Sequence, residues 1–248
     1  MHIHHEQHGV GHPIVLVHGW GLDARRNWVD TGWVDALLPH RSVVLMDVRG
    51  HGQSDKPHAP GAYTYRAMTA DVLQVMDELG IATADLLGYS MGSFIGVALL
   101  GDEGGARRFT SMILGGIGDE TEESASLATR IAAALRAADP TTIDDPVGHA
   151  YRAFVDLDPT TDHEALAVAA LDMWPDGHPL ELGGPDLREA DLPILIVNGS
   201  DDRPYVDSAR QLVDALPRAT EVVIPGADHL TTVTDRRFRD AALEFLRR

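Results

Sequence analysis

Short runs of consecutive apolar residues alternate along this chain with longer stretches of helical period. Residues 13–17, 42–47, 84–88, 111–115, 193–197 and 221–224 form the apolar runs. They are too short for helices and too continuously apolar for strands wetted on one side, so they read as strands of a sheet covered on both faces. Met68, Val72, Val75, Met76 and Leu79 recur at helical spacing with Gly80 as a stop, and residues 94–100, 209–216 and 238–246 read likewise. The pattern predicts an α/β fold with helices on both faces of a mostly parallel central sheet. The opening segment, where Ile3 stands among histidines, is at most an edge strand.

One stretch breaks the alternation. Residues 119–184 carry helical patterns (Leu127, Ile131 and Leu135, then Ala165, Val168 and Leu171) and proline stops, with no strand pattern. Strands resume directly after it. The expectation is one domain over residues 1–248 with a helical lid, 119–184, inserted above the carboxyl edge of the sheet.

The chain has 248 residues, of which 44% are hydrophobic, enough for one well-packed α/β domain. Its formal net charge of −18 would repel nucleic acid and anionic membrane surfaces, so neither is expected as a partner. It contains no cysteine, which excludes disulfides, thiolate metal sites and cysteine nucleophiles. No basic region precedes an apolar stretch of signal length, and the run at residues 14–17 is far too short to span a bilayer. The cytoplasm is the expected compartment.

Chemistry enters at Gly88-Tyr89-Ser90-Met91-Gly92, between a predicted strand and a predicted helix. A serine in that context sits on a sharp turn that lifts its hydroxyl above the sheet, while the flanking glycines remove the Cβ atoms that would clash. The helix that follows points its positive end at the hydroxyl. Serine needs a base to take its proton, and in this architecture the acid and the histidine follow the serine in chain order. Of the thirteen histidines, His229 alone lies beyond Gly199-Ser200-Asp201-Asp202, in a loop after the strand at 221–224. Most of the others read as surface loop residues. Asp201 and Asp202 both qualify as the acid, with Asp119 a more distant candidate. An oxyanion needs two donors; the backbone N–H groups of Met91 and of Trp20, in His18-Gly19-Trp20-Gly21, are the candidates.

These motifs, in this order, resemble the α/β-hydrolase superfamily over essentially the whole chain. Asp47-Val48-Arg49-Gly50-His51-Gly52-Gln53-Ser54 looks like the family's Asp-x-Arg-Gly-x-Gly-x-Ser signature, which shapes the loop after its strand. The family spacing implies Asp202 as the acid and His229 as the base. Within the superfamily the chain looks most like small lidded enol-lactonases, carboxylesterases, C–C hydrolases and cofactor-free haloperoxidase-like esterases. Haloalkane dehalogenases and most epoxide hydrolases have aspartate where this chain has Ser90, which disfavours those chemistries. Ser93 departs from the pattern, since many relatives have glycine there.

The histidines at 2, 4, 5 and 8 alternate sides along an extended segment and do not converge on a metal. Glycines 88, 92 and 96 have the wrong spacing for a nucleotide loop. Trp20, Tyr89 and Trp174 are the residues expected to border substrate. The implied reaction is hydrolysis of a carboxylic ester, lactone or thioester of a small, largely apolar molecule through an acyl-enzyme, with no metal or organic cofactor. The competing readings are C–C cleavage of a diketone by the same residues, or a small-molecule-binding homologue without turnover.

Overall fold

A computed structural model describes residues 1–101, 104–118, 124–173, 187, 190–203 and 205–247. Its centre is a seven-stranded sheet in the order β1-β3-β2-β4-β5-β6-β7. The strands are β1 (His5–His8), β2 (Pro13–Val17), β3 (Ser42–Met46), β4 (Ala84–Tyr89), β5 (Phe109–Gly115), β6 (Ile194–Gly199) and β7 (Ala219–Ile224). Every neighbouring pair is parallel except β1 with β3. All six strands expected from the apolar runs are present, and the histidine-rich opening segment supplies the antiparallel edge strand.

The apolar runs of the five inner strands, β2 to β6, are continuous because each of these strands feeds two cores. Val15 and Val17 face one cluster with α2 (Tyr65–Glu78) and α3 (Met91–Leu100), while Ile14 and Leu16 face the other. That second cluster holds α1 (Trp33–Leu37) and α9 (Arg236–Phe245), where Trp33 and Phe238 pack edge-on with ring centroids 4.8 Å apart. The first also takes in α7 (Tyr205–Ala215) through Ala209 and Leu212.

Strand order places the site. The chain runs from β2 outward to β3 and then returns to the other side of β2 as β4. The loops leaving β2 and β4 therefore diverge, opening a crevice at the carboxyl ends of adjacent strands, where open α/β sheets bind ligands. The pairing of Val17 with Gly88 sets the His18-Gly19-Trp20-Gly21 loop beside Ser90.

The loop after β3 is braced as its signature implies. Asp47 accepts hydrogen bonds from Ala24 N (2.9 Å) and Gln53 N (2.8 Å), and Ser54 Oγ donates to the Asp47 carbonyl. Arg49 forms a two-pronged pair with Asp71 of α2, both contacts 2.6 Å, and donates to the Ala62 and Ala67 carbonyls.

Between β5 and β6 lie α4 (Ser124–Arg136), α5 (Pro146–Val155) and α6 (His163–Met173). Two match the expected helical patterns. The helix α5 does not, although Asp145 followed by Pro146 is a start signal: the carboxylate caps Gly148 N, and proline suits the first helical position. These helices pack on one another and dock on the sheet domain through Asp172, which accepts from Gly61 N and Tyr63 N, and through His58 with Asp162. The ends of the expected insertion, 119–123 and 174–184, and with them Asp119 and Trp174, lie outside the described residues. Among the described residues no helix is long and apolar enough to cross a membrane.

Replacing Asp71 by Ala leaves the Arg49 guanidinium buried without its carboxylate. The expected loss is about 3–5 kcal/mol of unfolding free energy, read as a lower urea midpoint.

Candidate active site

Ser90 joins β4 to α3 with φ of 50° and ψ of −118°, and it is the only non-glycine with positive φ among the described residues. Such a conformation costs about 1–3 kcal/mol and persists only when its surroundings enforce it. They do so from both sides. Ser90 N donates to the Gly115 carbonyl (2.8 Å), and the Ser90 carbonyl accepts from Ser93 N (2.7 Å) and Phe94 N (3.1 Å). Gly92 permits the turn, because a Cβ there would overlap the Val17 carbonyl oxygen at the end of β2. Ser93, the departure from the family pattern, is fully buried and donates its hydroxyl to the same Gly115 carbonyl at 2.8 Å. Its side chain thus ties the first turn of α3 to β5.

Residues far apart in the chain then meet at the Ser90 hydroxyl. His229 Nε2 lies 3.0 Å from Ser90 Oγ, and His229 Nδ1 lies 2.9 and 3.0 Å from the two Asp202 oxygens. A carboxylate can only accept, so the ring proton sits on Nδ1 and Nε2 offers its lone pair to the serine. Asp202 is buried, whereas Asp201 is exposed and accepts from Ser200 Oγ. The loop that left two carboxylates open in the sequence presents only Asp202 to the histidine. His229 is not in a loop: it opens the short helix α8 (His229–Thr232), capped by Asp228 through Leu230 N and Thr231 N. Gly116, at φ +62°, passes so close that a Cβ there would lie 2.9 Å from His229 Cε1.

The glycine loop after β2 is held amide by amide. Gly19 N donates to Asn27 Oδ1 (2.9 Å), and Gly21 N donates to His51 Nε2 (3.1 Å). Between these tethered amides lies that of Trp20. His18 completes the frame, accepting from Val48 N at Nε2 and donating from Nδ1 to the Gly19 carbonyl. His51 Nδ1 donates to the Arg49 carbonyl. Both rings are buried, 5.1 Å apart, and both accept an N–H at Nε2, which requires the uncharged form. Burial pushes His18 below its ordinary value. It pushes His51 down to about 3, and the neighbouring His18 ring adds to the depression, because the two could not both carry a charge. These two are therefore not the surface loop residues that most of the histidines were expected to be. Asn27 and His51 are the residues the sequence reading missed; His51 stood in view within the Asp47–Ser54 signature, while Asn27 carries no motif. The other amide beside Ser90, that of Met91, is the first N–H of α3 and has no acceptor within its own helix.

Of the residues expected to border substrate, Trp20 is 8% exposed and meets the ring of Tyr151 from α5 edge-on at 5.6 Å. Tyr89 is also buried, but its ring packs against His229 and Phe238, and its hydroxyl donates to the His229 carbonyl. That placement makes it a support of the histidine.

The chain belongs to the α/β-hydrolase fold family, whose sequence profile matches residues 12–152. It is 29% identical over 235 residues to the dihydrolipoyllysine-residue acetyltransferase component of the acetoin cleaving system of Cupriavidus necator, covering 90% of this chain and 60% of that one. It spans less than two thirds of the length of the first curated relatives it matches. Among solved structures, the enol-lactonase from Burkholderia xenovorans superposes with a TM-score of 0.81 at 26% identity, covering 99% of this chain and 96% of that one. A thermophilic esterase from Thermogutta terrifontis gives 0.79 at 25%, covering 99% and 93%.

The two buried histidines set a pH signature for stability. In the unfolded chain each takes up a proton near pH 6.5, whereas the folded protein keeps His51 neutral down to about 3. The stabilisation is complete above about pH 6.5 and is lost as pH falls through that window. Asp235, held near 2 by Arg237, adds its own loss only once the unfolded carboxylate begins to protonate, below about pH 4.5. Between about pH 6.5 and 4.5 the unfolding free energy should fall, and His51→Gln should flatten that slope by up to about 1.4 kcal/mol per pH unit. Urea titrations across the range read it directly.

Proposed function

We propose that this protein is a serine hydrolase that cleaves a carboxylic ester, lactone or thioester of a small, largely apolar substrate through an acyl-enzyme. The observation that carries this reading is the hydrogen-bonded chain from Asp202 through His229 to Ser90. In the proposed mechanism Ser90 Oγ attacks the carbonyl carbon while its proton passes to His229 Nε2. Asp202 holds the Nδ1–H tautomer and stabilises the resulting imidazolium. Collapse of the tetrahedral intermediate breaks the bond to the leaving group, which takes the proton from Nε2. Water then gives its proton to His229 as it attacks the acyl carbon, and Ser90 recovers a proton as the acid departs.

The amides of Trp20 and Met91 are assigned to the developing oxyanion. Each such donor contributes about 3 kcal/mol to transition states of this kind. Rigidity is what makes them effective, and the tethers from Asn27 and His51 on either side of Trp20 supply it. The helices α4 to α6 are assigned as the lid, because Tyr151 of α5 packs on Trp20 and Phe154 and Val155 press on Gly21. Trp20 and Trp174 are the proposed contacts to substrate. The similarity to a solved enol-lactonase and a solved esterase supports ester or lactone chemistry. With no cysteine the chain requires no oxidising compartment, and the cytoplasm is the proposed location.

The test is labelling with a fluorophosphonate, read by intact mass and peptide mapping. A single adduct on Ser90, absent in Ser90→Ala and in His229→Ala, is the expected result; an unlabelled, folded wild type would overturn the reading. With an aryl ester as substrate, Asp202→Asn should lower kcat by on the order of 10⁴-fold. A panel of esters, lactones and vinylogous diketones then ranks the bond cleaved.

A further inference from the structure

The hydrogen-bonded chain accounts for the edges of the His229 ring. Asp202 lies at Nδ1, Ser90 at Nε2, and Gly116 passes Cε1. It does not account for what lies against the ring otherwise. Two tyrosines do: the Tyr89 ring at a centroid distance of 5.4 Å and 41° tilt, and the Tyr205 ring at 5.2 Å and 34°. Tyr89 comes with the serine motif. Tyr205 has no place in that motif and enters from the first turn of α7.

Its position is built. The Asp202 carbonyl accepts from Val206 N at 2.9 Å, so Tyr205 and the acid share one hydrogen-bonded turn. The Tyr205 ring meets Phe94 of α3 at 6.2 Å, and Gly118 packs so closely on the Tyr205 backbone that a Cβ there would overlap the Tyr205 carbonyl. A single residue thereby touches the acid's turn, the serine's helix and the root of the inserted segment, with its ring on the histidine.

We infer that Tyr205 is a positioning residue of the proposed hydrolase, acting with Tyr89 to hold the His229 imidazole in line between Asp202 and Ser90 and to stabilise the imidazolium formed when Ser90 gives up its proton. The inference rests on the serine-hydrolase reading above. An aromatic face within about 6 Å of a cation attracts it, and the attraction grows as water is excluded. Neutral imidazole gains much less. The ring therefore favours the state with the proton on Nε2 over the resting state, which is the condition for raising kcat. Among the described residues, the charged and titratable groups facing His229 are Asp202, Asp228, Ser90, Tyr89 and Tyr205. Asp228 is committed to Leu230 N, Thr231 N and Thr231 Oγ1.

The experiment follows the rate of Ser90 labelling by a fluorophosphonate and the hydrolysis of p-nitrophenyl acetate from about pH 5 to 9, in wild type, Tyr205→Phe and Tyr205→Leu. Tyr205→Leu should lower the labelling rate and kcat about tenfold, with KM changed less than about twofold, and move the acid limb of the profile to lower pH by about half a unit. Tyr205→Phe should restore the limb and most of the rate. If Leu matches Phe in both rate and profile, or if only KM moves, the inference is wrong. Circular dichroism and urea unfolding check that each variant is folded, and Tyr205→Met carries the same comparison if the leucine variant is not. Failure of the serine-hydrolase reading looks different, since wild type would then form no Ser90 adduct whatever stands at position 205.

Discussion

Everything at this site depends on how closely α3 approaches the end of β2. At Gly92 the helix backbone lies where any Cβ would strike the Val17 carbonyl oxygen. That approach makes the turn from β4 into α3 tight enough to hold Ser90 at φ 50°. It also brings the loop leaving β2 against the serine, where a Cβ on Gly19 would sit 3.5 Å from Ser90 Cβ. The hydroxyl and the amides that would serve it thus belong to one rigid contact between parallel neighbours. The Ser93 hydroxyl and Ser90 N, both bound to the Gly115 carbonyl, extend that rigidity to β5. In a sheet where β4 flanks β2, these three strand ends are adjacent, and their loops can be locked to each other without a long connection.

Around that contact, polar groups are used in two opposite ways. His18 and His51 are buried and uncharged, each ring bridging two backbone groups, so they serve as fixed struts beneath the Trp20 amide. Charging either would cost a hydrogen bond and a desolvated cation at once. His229 is set differently: it is partly exposed, paired with Asp202 and flanked by aromatic rings. The three rings differ in whether Nε2 meets a backbone N–H, as in His18 and His51, or the Ser90 hydroxyl, as in His229.

The inserted helices are tied into this arrangement. Tyr151 packs on Trp20, Phe154 and Val155 on Gly21, and Asp172 holds the backbone of Gly61 and Tyr63. The helix α5 thus meets the sheet domain at the glycine loop beside Ser90. Tyr205 packs against Gly118 with its backbone and against His229 with its ring.

Much of this was legible in the chain itself. Runs of apolar residues five to six long determine the strands buried on both faces, because only a doubly covered parallel sheet accepts such runs. The shorter run at 221–224 lies in the edge strand β7, with Val223 exposed. Glycines two residues either side of Ser90 determine a turn too tight for any other residue type. The order of Ser90, Asp202 and His229 follows from chain direction alone. Local patterns could not choose between Asp201 and Asp202, since adjacent residues point to opposite sides and only the docking of α8 against β6 says which side holds the histidine. Nor could they bring Asn27 to Gly19, His51 to Gly21, or turn the Tyr89 and Tyr205 rings onto His229. Those contacts join residues separated by up to 140 positions along the chain, and they exist because strand order and helix packing fix distances that no periodicity records.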